Sequence, residues 1–181
     1  MPSIHRQTRL GVLGEGLIVG VLAAAVVAAW FLAYDFAAGM PFRTPSLLGA
    51  ILFGGGQAME GAASLSLVLM YTLVHVAVFV GFGVVVAGLF TIADREPAVL
   101  FGLFMLLCCF QVAFVAVLKI AAEWALDPIP WWAILVGNFL ATVAMLGVLF
   151  PMHPAAWRPW FGRRDPLEAP REQSIEYRRG V

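Results

Sequence analysis

SLSLVLMYTLVHVAVFVGFGVVVAGLFTIA, residues 64–93, contains no charged side chain and one histidine, His75. A bilayer core about 30 Å thick is crossed by about 20 apolar residues in a helix, so this stretch is long enough to span it. The rest of the 181-residue chain has the same character. It is 62% hydrophobic and only 12% charged, with a mean hydropathy of +0.91. A soluble domain carries about a quarter charged residues. The formal net charge is zero, which gives no bulk attraction for nucleic acid. The expected fold is all-α, a polytopic membrane protein.

Upstream of this stretch, residues 1–11 are polar, with Arg6 and Arg9 and no acid. The apolar run at 12–34 is longer than a signal-peptide core, and no small-residue cleavage site follows it, so it reads as a retained first span. Gly16, Gly20, Ala24 and Ala28 recur every four residues on one face of it. Small residues at that spacing let helix backbones approach closely in lipid. Glu15 sits one turn inside the span, where it can snorkel, pair with a nearby Arg and meet the positive end of the helix dipole. Residues 35–44 read as a loop. Thr44 suits an N-cap and Pro45 a first helical position, opening a short helix at 45–56. That helix is about 18 Å long, too short to cross, and is therefore interfacial or re-entrant.

Downstream, Asp94, Arg95, Glu96 and Pro97 form a tight turn, so the spans at 64–92 and 98–121 are antiparallel neighbours. A loop with Pro128 and Pro130 precedes a fourth span at 131–150, which Pro151 and Pro154 should break. Residues 1–154 thus form a four-helix transmembrane domain, and 155–181 a polar, Arg-rich tail. Arg6, Arg9, Arg95, Arg158, Arg163, Arg164, Arg171, Arg178 and Arg179 all fall on one side. The positive-inside rule makes that side, and both termini, cytoplasmic. Trp30, Tyr34, Trp124, Trp131 and Trp132 mark the outer interface; Trp157 and Trp160 mark the inner one.

This topology puts His75, Gln111 and Asn138 at one depth, roughly 12–15 Å below the outer boundary at 1.5 Å per residue. Polar side chains facing lipid are costly, so the three should converge inside the bundle, with Tyr71 one turn above His75. Ala23, Ala24 and Ala25 lie at the same depth on the first span and leave room. Three readings follow. The groups hydrogen-bond one another and hold register, at about 0.6 kcal/mol per bond; they bind a ligand or move a proton; or His75 ligates haem. Bis-histidine haem needs a second histidine at facing depth, and His5 and His153 both fall at the cytoplasmic end. Otherwise no cofactor is indicated. Lys119 and Glu123 suit an exposed pair. Adjacent Cys108 and Cys109 suit small core residues. Gln57, Glu60 and Asp35 suit a solvated outer surface. No metal-ligand spacing, nucleophile triad or phosphate loop occurs, so no enzyme is expected.

Three stretches, AGMPFRTPSLLGAILFGG at 38–55, YTLVHVAVFVGFG at 71–83 and WWAILVGNFLATVAMLGVLFPMHP at 131–154, resemble a group of uncharacterised bacterial four-span inner-membrane proteins. The motifs carrying the resemblance are Tyr71 with His75, Asn138, and the His153–Pro154 pair. It implies a bacterial inner-membrane protein and brings no activity. The leading expectation is a non-catalytic accessory subunit, partnered by lipid and by other membrane chains. The alternative is a haem, quinone or solute site around His75.

Overall fold

The computed structural model describes residues 11–53, 64–121 and 130–161. Among them the chain is entirely helical: α1 Val12–Ala37, α2 Arg43–Phe53, α3 Leu65–Ala93, α4 Val99–Ala121, α5 Trp131–Met152 and α6 Pro154–Phe161. Three helices, α1, α3 and α5, are long and apolar enough to cross a membrane. The described apolar part of α4 is shorter, Val99–Ala113. Large apolar side chains cover the outside, among them Leu13, Leu73, Phe101 and Phe139, as lipid requires and water does not.

The centre of the bundle is the α1–α3 contact. A Cβ placed on Gly16 would meet the Val84 backbone, and one on Gly20 would fall 2.5 Å from Val80 Cα. Gly83 reciprocates against the Gly16 and Gly20 backbone. Lipid tails are as apolar as these side chains, so close packing, rather than burial from water, holds the two helices. Position rises along α1 as it falls along α3, so they are antiparallel. Ala24 continues the stripe and is buried, whereas Ala28 is exposed. Past Ala24, α1 turns its contacts to α5: Trp30 Nε1 donates to Ala133 O at 2.9 Å, and Gly137 leaves room for Trp30 and Phe31. Trp30 is thus half-buried inside the bundle, while Trp131 and Trp132 are exposed at the same end. Val19, Ala23, Val86, Phe90, Met145 and Leu149 fill the core.

Helix α1 overruns its expected end, and Asp35 lies within its last turn. An acid there opposes the helix dipole. The opposition is offset because the Asp35 carboxylate, 2% exposed, accepts from Thr44 N–H and Thr44 Oγ1, both at 2.7 Å. Thr44 is therefore not the cap; it lies inside α2, and Asp35 caps that helix from outside. The bonds also anchor a connection with two left-handed residues, Gly39 and Phe42. Gly49 packs on the Leu67 backbone, which sets α2 against the first turn of α3, two turns from His75. Gln57 and Glu60 lie outside the described residues.

The α5–α6 junction departs from expectation in detail. Pro151 lies inside α5, and the break comes at His153, with φ −120° and ψ 62°. The residue before a proline is pushed out of the helical region, and Pro154 then suits the start of α6. Pro154 has no N–H for Phe150 O, and the Trp157 indole donates there instead at 2.8 Å. The first residues of the expected tail thus belong to the folded domain, with Ala156 fully buried. Cys108 and Cys109 are also not core residues; both are exposed.

Candidate functional site

Helices α3, α4 and α5 line a half-open cavity of about 510 Å³, within the range of small-molecule sites. Its polar end is made by Tyr71 and His75 of α3, Gln111 of α4 and Asn138 of α5. Its other end is apolar, with Phe82, Val85, Leu107 and Met145. The four residues singled out in the sequence line one space.

They do not bond as one cluster. His75 Nε2 lies 3.2 Å from Ala24 O on α1. A carbonyl only accepts, so Nε2 carries the proton and Nδ1 the lone pair. Tyr71 Oη faces Nδ1 at 3.5 Å, long for a hydrogen bond. Phe79 closes the other side of the imidazole, with ring centroids 4.7 Å apart. Nε2 is engaged, and ligation through it would need the Ala24 contact broken. The close α1–α3 packing is what brings Ala24 O within reach of His75.

Gln111 and Asn138 are different. Gln111 Oε1 and Asn138 Nδ2 are buried without a hydrogen-bond partner; the Thr142 hydroxyl nearby donates to the Asn138 main-chain carbonyl at 2.9 Å. An unpaired buried donor or acceptor costs about 1–3 kcal/mol. Both atoms belong to residues on the wall of the same cavity.

A second polar site lies at the opposite end. His153, 4% exposed, places Nδ1 2.7 Å from Asp94 Oδ2 and Nε2 3.0 Å from Glu15 Oε2. It joins the start of α1, the end of α3 and the α5–α6 junction. A neutral imidazole has one N–H, so the two contacts require one further proton, on the ring or on a carboxyl. Counting on the His75 layer alone missed this site. The signal was present: Glu15, Asp94 and His153 all fall at the same end of the spans. Among the described residues Glu15 meets this histidine; Arg6 and Arg9 lie outside them. His5, Lys119 and Glu123 cannot be compared, because the side chain of Lys119 and the whole of the other two lie outside the described residues. Among the described residues, no group of His, Cys, Asp and Glu is arranged to hold a metal ion.

Comparison of the chain with protein-family models, curated proteins and solved structures finds no match.

Proposed function

We propose that this chain is a four-span bacterial inner-membrane protein whose α3–α4–α5 cavity binds a small amphipathic molecule without transforming it. The observation that carries the reading is the pair of buried, unpartnered amide atoms of Gln111 and Asn138 at one end of a 510 Å³ apolar cavity. Helix direction supports the fourth span. α3 and α5 both bring their C-terminal ends to His153, so α4, between them in sequence, returns the chain across the same thickness. Its 23 residues reach about 35 Å. The arginine distribution supports cytoplasmic termini.

Organic extraction of purified protein, read by mass spectrometry, tests the binding. A molecule stoichiometric with the chain is expected in the wild type and lost in Ala141→Phe, which fills the cavity from the α5 wall. An unchanged complement of small molecules in a folded Ala141→Phe sample would refute the site.

An accessory role in a larger complex is favoured by α4. Among the described residues it packs more lightly than α1, α3 or α5. Stoichiometric partner chains on gentle purification would support that reading. A monomer free of other chains would sink it without touching the cavity.

A further inference from the structure

The composition of the cavity wall constrains its ligand. Among the described residues, no Asp, Glu, Lys or Arg lines it. An ionised head group entering it would leave water without a counter-charge, at a cost of several kcal/mol. A wholly apolar guest would leave Gln111 Oε1 and Asn138 Nδ2 as they are, one acceptor and one donor without partners. Either amide can turn its other end inward, so the pair can meet a hydroxyl or a carbonyl. His75 and Tyr71 are less available, since each faces the other and His75 also holds Ala24 O.

We infer that the cavity selects an apolar chain carrying one uncharged hydroxyl or carbonyl head, seated between Gln111 and Asn138. This rests on the reading of the cavity as a ligand site. The lining runs along α3 from Tyr71 to Val85, about 21 Å at 1.5 Å per residue. The head lies at the Gln111–Asn138 level, and the chain runs toward Phe82, Val85 and Met145. A monoacylglycerol and a short-chain quinol both present this chemistry.

The test uses purified full-length protein in nanodiscs and ligands matched in a ten-carbon chain. Displacement of an environment-sensitive fluorescent alkane reports binding of monodecanoylglycerol, a decyl quinol, decyl phosphate, decyltrimethylammonium and headless decane. At least one neutral-headed ligand should bind tenfold or more tighter than either charged one. Whichever of the glycerol and quinol heads binds tighter identifies the source. Asn138→Leu and Gln111→Leu should each lower neutral-head affinity about tenfold while leaving decane unchanged. Equal binding of charged and neutral heads overturns the inference, as does unchanged neutral-head affinity in both variants. Failure of the reporter alkane and of every ligand to bind the folded wild type overturns the ligand site itself.

Discussion

Replacing His153 with leucine gives the sharpest test of how the base of the bundle is held. The imidazole is 4% exposed and contacts Glu15 Oε2 at 3.0 Å and Asp94 Oδ2 at 2.7 Å. Leucine fills much of its volume but supplies no hydrogen bond. Glu15, with a side chain only 7% exposed, then stays in a buried position beside a second carboxylate. Removing one partner of a buried ionic contact costs about 3–5 kcal/mol. For a chain of this size each kcal/mol moves the melting temperature by about 2–4 °C, so a fall of roughly 6–20 °C is expected. Tryptophan fluorescence during a thermal ramp in mild detergent measures it. The informative step is the double variant. Glu15→Gln removes the acid that His153→Leu leaves uncompensated, so stability should recover by about 1–3 kcal/mol. A His153→Leu protein melting within about 2 °C of wild type would refute the reasoning, as would an absence of recovery on adding Glu15→Gln.

Gly20→Leu should separate α1 from α3, because its Cβ would fall 2.5 Å from Val80 Cα. The expected loss is about 1–3 kcal/mol or more, whereas Gly81→Ala, with nothing within 4 Å, should be tolerated; detergent melting curves compare the two. Asp35→Ala removes two buried charge-assisted bonds to Thr44 and should cost about 2 kcal/mol or more, with protease cleavage appearing first between Ala37 and Arg43. Reporter fusions in membranes should read cytoplasmic after Val181 and external within 122–130, and the reverse pattern would overturn the orientation.

The helices were legible because lipid-spanning segments announce themselves by uninterrupted apolar length, and ends drawn at 12–34, 64–92 and 131–150 lie within three residues of α1, α3 and α5. The Gly16–Gly20–Ala24 stripe was legible from its spacing of four. Ala28 was not, because periodicity cannot say where one neighbour ends and another begins, and Trp30 and Phe31 hand α1 over to α5. Depth counting placed His75, Gln111 and Asn138 at one level with Tyr71 one turn above, and the structure gives the four a common cavity. It could not show that His75 would turn to the Ala24 backbone, since a main-chain acceptor leaves no mark on composition. The Glu15–His153–Asp94 site escaped because His153 was treated as lying beyond the membrane. The His153–Pro154 break folds α6 back against the end of α3 and makes that end an interior.

The same contact imposes an order on biosynthesis. Glu15 leaves the ribosome early, and His153 follows 138 residues later. At about 5–20 residues per second, the acid waits roughly 7–28 s for its histidine. Asp94 waits a shorter time, across 59 residues. During that interval the glycine faces of α1 and α3 are both available to pack, before the imidazole that bridges Glu15 and Asp94 exists. The bundle is therefore locked only when its last spanning helix arrives. A chain cut short before His153 would lack the imidazole that bridges Glu15 and Asp94.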